Sequence, residues 1–320
     1  MDAFFVIHWV KIFKLHAVLI FTLSVISHPK FCQCDQAAKL TPHEIATMPI
    51  TIASYGPDVA RAKKYVYLSG AAYCFDIPAW TCPYCKKAQS FGEFHSQIVN
   101  KEANTLAFIA VNKELKEIVV SYRGTLNTAN LVADIHPSTL SLDTGSSPLE
   151  RGKSKGPETW IHTGMINATN SLYPEVVDKL GKLLKENGDF DVVVIGHSLG
   201  AASAILTLFL LKEEIRLPAD FPTPKSYAYF GYGTPRLGNQ AYADYWNGQP
   251  MQITRVVNKA DFCVYAKCFG WVYEDPTCAN SIAPLSNVHD HLHYWDVHFL
   301  SCAGADPVST AKQFVIKLPE

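Results

Sequence analysis

The chain has 320 residues, 48% of them hydrophobic, enough to bury one large core. Its 28 lysines and arginines against 29 aspartates and glutamates leave a formal net charge of −1 with no basic stripe, so nucleic acid is not an expected partner. Nine cysteines exceed what a reducing compartment favours and point to an oxidising one, where they serve as disulfides.

In chain order, Lys11 and Lys14 precede an apolar run over residues 17–26, with Val25 and Ser27 placed for cleavage near Ser27. This predicts a secretory signal peptide over 1–27, a mature domain over 28–320 and an extracellular location. The alternative is an uncleaved anchor over 4–26 that carries both lysines into a bilayer. Apolar spacing predicts a helix over 57–73. Cys82-Pro83-Tyr84-Cys85 has no second Cys-x-x-Cys to complete a zinc site, so a structural disulfide is expected. Residues 105–111 and 117–122 are apolar runs joined by a polar turn, the pattern of a hairpin. The Gly-, Ser-, Pro- and Lys-rich stretch 141–156 reads as a solvated loop. Asn167-Ala168-Thr169 is a glycosylation sequon. Val176, Val177, Leu180, Leu183 and Leu184 fall at helical spacing and stop at Asn187-Gly188.

The most informative segment follows. Asp191-Val192-Val193-Val194-Ile195 reads as a buried strand, and residues 201–211 as a buried helix ending at Lys212-Glu213-Glu214. Between them stands Gly196-His197-Ser198-Leu199-Gly200. Strand, Gly-x-Ser-x-Gly, helix is the setting of a nucleophile elbow. The glycines allow a sharp turn, and the helix N-terminus favours negative charge developing beside the Ser198 hydroxyl. Further strands are predicted over 227–232 and 251–257. The alternation of helices and strands predicts an α/β fold in one domain, with a mostly parallel sheet covered on both faces and chemistry in loops at one edge.

An activated serine needs a base and an orienting carboxylate, here in the chain order Ser, Asp or Glu, His. Asp261 sits just past the strand ending Arg255-Val256-Val257, with Asp220, Asp244, Asp275 and Asp290 as rivals. His289, His291, His293 and His298 are the available bases, and spacing alone does not choose among them. Their alternation lacks a carboxylate companion, so no metal site is expected. Oxyanion donors are expected from the Leu199 N–H and from Thr125, after Ser121-Tyr122-Arg123-Gly124.

Seven motifs in order extend this reading: Tyr122-Arg123-Gly124-Thr125, residues 130–134, His162-Thr163-Gly164, the elbow, Gly233-Thr234-Pro235-Arg236-Leu237-Gly238-Asn239, Arg255-Val256-Val257-Asn258-Lys259-Ala260-Asp261, and Asp290-His291-Leu292-His293-Tyr294-Trp295. Over about residues 55–302 the chain resembles the class 3 lipase family, the group containing the secreted filamentous-fungal triacylglycerol lipases. The resemblance implies an α/β-hydrolase fold, Ser198 as nucleophile, Asp261 as triad acid and His291 as base, with Thr125 and Leu199 as the oxyanion hole. It implies a lid over 126–136 presenting Leu131, Val132 and Ile135, with Asp134 helping to position the oxyanion-hole side chain. It also implies the disulfides Cys74–Cys302, Cys82–Cys85 and Cys268–Cys278, leaving Cys32, Cys34 and Cys263 without counterparts. The implied activity is a secreted serine ester hydrolase acting on acylglycerol or other lipid esters at a lipid–water interface, without cofactor, metal or obligate protein partner. A feruloyl or short-chain esterase or phospholipase on the same triad, and an inactive lipid-binding protein, are the alternatives. Ala201, where the family carries a second glycine, Leu131, where several fungal lipases carry tryptophan, and the short stretch from Asp261 to His291 depart from the pattern.

Overall fold

The computed structural model describes residues 51–54, 59–126, 161–238, 240–259, 261 and 288–303. The expected signal peptide over 1–27, the lid residues Leu131, Val132, Asp134 and Ile135, and Cys268 and Cys278 lie outside the described residues.

Seven strands form one sheet. They are β1 (Thr51–Ser54), β2 (Glu93–Asn100), β3 (Thr105–Asn112), β4 (Glu117–Tyr122), β5 (Asp191–His197), β6 (Tyr227–Tyr232) and β7 (Gln252–Val257), in the spatial order β1-β7-β6-β5-β4-β3-β2. The central four, β4 to β7, run parallel. The flanking pairs β1–β7, β2–β3 and β3–β4 are antiparallel. Parallel strands need crossovers, and the helices that supply them cover the sheet, so Ile118-Val119-Val120 in β4 and Val192-Val193-Val194-Ile195 in β5 are apolar without alternation.

Period-two alternation divides the core. Phe108, Val119, Val193, Ile195, Phe230 and Tyr232 point to one face. Ile109, Ile118, Val120, Val192, Val194 and Tyr229 point to the other. The first face is covered by α1 (Val59–Ala71) and α2 (Pro83–Ala88). The second is covered by α3 (Thr163–Asn170), α4 (Tyr173–Glu186), α5 (Leu199–Lys212) and α6 (Gln240–Asn247). Residues 200–211 of α5 are buried without interruption, which explains its lack of a polar stripe. In α4 the apolar stripe faces inward while Glu175–Lys179 and Asp178–Lys182 pair on the outside.

After β7 the described chain resumes with α7 (Val288–Leu292) and a small ladder of β8 (His293–Tyr294) and β9 (Val297–His298), packed on the first face. A disulfide joins Cys74, just past α1, to Cys302 across 228 residues, and a second joins Cys82 to Cys85. The sulfurs of Cys74, Cys82 and Cys302 lie within 4.8 Å of one another.

Two strands escape the sequence patterns. In β2 only Ile98 is buried and its pairing slips between Phe94 and Ser96, so no clean alternation marks this edge strand. β1 has four residues, too few for a period to register.

Candidate active site

The elbow is tight because two backbone segments cross at the ends of β4 and β5. A Cβ on Gly200 would stand 2.3 Å from the Tyr122 carbonyl oxygen, and one on Gly196 would stand 2.3 Å from the Gly200 carbonyl. Neither contact is possible for a larger residue, so the glycines are required by close approach. Ser198 pays for the turn with φ 57° and ψ −128°, a conformation that L-residues avoid. Its N–H is held by the Tyr232 carbonyl at 2.9 Å. Its Oγ is buried and makes no protein hydrogen bond. Leu199 begins α5, so its N–H has no acceptor within the helix and is available to a ligand.

Asp261 lies beyond the end of β7, its N–H bonded to the Asn258 carbonyl at 3.0 Å. Its Oδ1 stands 2.8 Å from His291 Nδ1, and its Oδ2 accepts the Tyr294 hydroxyl. Both Asp261 and His291 have no solvent exposure. A carboxylate on Nδ1 orients the imidazole and leaves Nε2 as the proton-exchanging nitrogen. Asn258 steadies the same turn, donating to the carbonyls of Asp290 and His293 on either side of His291. Gly233, at φ 56°, leaves the space above the pair; a Cβ there would sit 2.6 Å from Asp261 Oδ2 and 2.8 Å from His291 Nδ1.

The other late histidines form a separate group. The His289 and His293 rings stack at 3.8 Å, and His293 meets His298 at 4.3 Å. Burial and neighbouring imidazoles push His298 down to about 4. Among the described residues, the one close-set group with metal-ligand spacing is Cys74, Cys82 and Cys302, whose sulfurs are in disulfides.

Thr125 follows β4, half-buried, with its Oγ1 buried and making no protein hydrogen bond. Arg123 anchors this loop through bonds to the Asn104 carbonyl and side chain. Gly124 packs against the elbow: a Cβ there would stand 3.2 Å from Ser198 Cβ. Asn167 is exposed on α3, and the Thr169 of its sequon is buried with its hydroxyl on the Met165 carbonyl.

Four residues absent from the sequence-derived site complete it: Tyr73, His197, Asn258 and Tyr294. His197 sits between Ser198 and His291, its ring 4.6 Å from that of His291 and stacked on Phe299 at 3.6 Å. Burial first, and the adjacent His291 second, hold its pKa well below the ordinary imidazole value. Strand alternation carried the signal for His197, since Val193, Ile195 and residue 197 share a face. Nothing local marks Tyr73, which reaches the site from 124 residues away.

With this geometry in view, residues 119–267 match the family model for class 3 lipases. Over these residues the chain is similar to the class 3 lipase family. It is 24% identical over 278 residues to a lipase of Rhizopus niveus, covering 78% of this chain and 67% of that one. It is 26% identical over 215 residues to a secreted mono- and diacylglycerol lipase of Fusarium solani, covering 64% of this chain and 57% of that one. The solved lipase of Rhizopus microsporus var. chinensis superposes with a TM-score of 0.63 at 23% identity, covering 84% of this chain and 99% of that structure. The shared architecture is the α/β-hydrolase fold.

Proposed function

We propose that this chain is a class 3 lipase, a secreted carboxylic ester hydrolase that cleaves acylglycerols through Ser198, Asp261 and His291. The observation that carries the reading is the His291–Asp261 pair, fully buried beside an elbow that holds Ser198 in a strained turn. The secreted, acylglycerol-directed names of its relatives and the signal pattern over 1–27 support location and substrate class.

His291 Nε2 takes the Ser198 proton as Oγ attacks the ester carbonyl carbon. The carbonyl oxygen becomes an oxyanion, held by the Leu199 N–H and by Thr125. Collapse breaks the ester C–O bond, and the proton on His291 passes to the departing alcohol. Water then attacks the acyl-enzyme, giving its proton to His291, and the second collapse returns that proton to Ser198 as the fatty acid leaves. Asp261 remains ionised and steadies the imidazolium, while Tyr294 and Asn258 hold the turn in place. Since Ser198 is 1% exposed and His291 fully buried, substrate enters only after part of the molecule moves, which supports activity at an interface.

The test compares emulsified long-chain triacylglycerol with a soluble short-chain ester, using wild type and Ser198→Ala. Preference for the emulsion, abolished by the substitution, supports the proposal. Activity on the soluble ester alone keeps the triad but makes the protein an esterase. No turnover and no labelling by a serine-directed phosphonate leaves a binding protein.

A further inference from the structure

We propose that Tyr73 and His197 are positioning residues, a buried hydrogen-bond relay that sets the oxyanion loop, the nucleophile elbow and the base turn relative to one another. The proposal rests on the reading of Ser198 and His291 given above and deepens it.

The relay has a defined direction. His197 Nε2 stands 2.7 Å from the His291 carbonyl oxygen, which only accepts, so Nε2 carries the proton. The imidazole is neutral, since burial and His291 disfavour its charged form, so Nδ1 is bare and accepts. Its partner at 2.7 Å is the Tyr73 hydroxyl, which therefore donates. The same hydroxyl oxygen accepts the Gly124 N–H at 3.1 Å. The chain runs Gly124 N–H to Tyr73 O–H to His197 Nδ1, and from His197 Nε2–H to the His291 carbonyl.

Each end of this relay is one step from a reacting group. Gly124 precedes Thr125, His197 precedes Ser198, and the final acceptor is the backbone of His291 itself. No described backbone hydrogen bond outside the regular elements connects these three loops directly. The contact with Gly124 is close enough that a Cβ there would stand 2.3 Å from the Tyr73 oxygen and 2.5 Å from the His197 carbonyl oxygen. Tyr73 is 2% exposed and His197 1%, so water does not compete for these bonds and each fixes a direction. Phe299 lies flat on His197, with 9° between the rings, and blocks rotation of the imidazole. Removing the Tyr73 hydroxyl strands the Gly124 N–H and the His197 Nδ1 together. The loops then drift by fractions of an ångström, which matters more to a developing oxyanion than to the bound ester.

The test is Tyr73→Phe, with Tyr173→Phe as control. Tyr173 is equally buried and donates to the Ile215 carbonyl at 3.0 Å from α4, on the opposite face of the sheet. Both variants lose one buried hydroxyl, so both lower Tm modestly. Tyr73→Phe is expected to lower kcat by about 10- to 100-fold with KM within about twofold, while Tyr173→Phe keeps kcat. In full-length protein labelled with nitrogen-15 histidine, His197 is expected as the neutral Nε2–H form, with its Nδ1 resonance displaced in Tyr73→Phe. A Tyr73→Phe enzyme with wild-type kcat, or a kcat loss matched by Tyr173→Phe, overturns the relay and leaves the nucleophile standing. Wild-type protein without Ser198-dependent turnover overturns the enzymatic reading and the positioning role with it, and the histidine spectrum then reports whether the hydrogen bonds themselves exist.

Discussion

On the α5 side of the sheet, Val192, Val194, Leu206, Leu208 and Leu210 meet as hydrocarbon, and no disulfide is found there among the described residues. On the α1 side lie both described disulfides; there the Tyr73 hydroxyl meets His197, the Tyr294 hydroxyl meets Asp261, and the Tyr84 hydroxyl bonds the backbone of His298. Apolar packing is non-directional and fixes volume; hydrogen bonds and covalent links fix angles. The α5 side has hydroxyl bonds of its own, from Tyr122 to Thr207, Tyr173 to the Ile215 carbonyl and Tyr229 to the Ala201 carbonyl, but the described covalent links and the hydroxyls that meet His197 and Asp261 are all on the α1 side. Substitutions on the two sides should therefore separate activity from stability.

The largest effect is expected from Ser198→Ala, which removes the proposed nucleophile where the sides meet. Ester turnover should fall by roughly 10,000-fold or more with urea midpoint unchanged or raised, since the hydroxyl removed is buried and makes no protein hydrogen bond. Next, replacing Cys74 and Cys302 together by serine opens a link spanning 228 residues. The chain-entropy estimate is about 5 kcal/mol of stability, read by urea unfolding, together with lower kcat because Tyr73 adjoins Cys74. Leu206→Ala, at a fully buried position of α5, should cost about 2–5 kcal/mol of stability while the folded fraction keeps wild-type kcat. Were kcat to fall with it, the separation of roles between the faces would fail.

The smallest effect is acid sensitivity. His197, His293 and His298, on the site side, have pKa values below the ordinary imidazole value, each chiefly through burial, as does His162 on the other. Unfolded imidazoles bind protons at about pH 6.5, whereas these resist doing so until more acid conditions. Stability is therefore complete above about pH 6.5 and declines as pH falls below it. Unfolding midpoints measured between pH 7 and pH 4 should decrease, and His298→Gln should flatten the slope. A stability that rises with acid would contradict the buried neutral assignment.

Local chemistry was readable from the chain; long-range register was not. The elbow is legible because Gly196, Ser198 and Gly200 act within five residues, and the crowding that demands the glycines leaves no other residue type. Its flanking strand and helix are legible because both are buried on every side. Among the four late histidines, spacing was silent: His291 is distinguished by its distance to Asp261, 30 positions earlier in the chain. Family likeness selected it through the motif around it, and the geometry then supplied a physical reason. Tyr73 was beyond either route, because a buried tyrosine next to a cysteine is ordinary until the fold brings Gly124 and His197 to its hydroxyl.

The hydrogen bond from His197 to the His291 carbonyl joins residues 94 positions apart, and that interval is also a delay in time. At 5–20 residues per second of synthesis, the elbow is made roughly 5 to 20 s before the base. Cys302, which clamps the base turn to α1, is made later still. Over that interval the proposed nucleophile has no proposed base to accept its proton, so the order of residues along the polypeptide holds the site inactive until the turn carrying His291 is added.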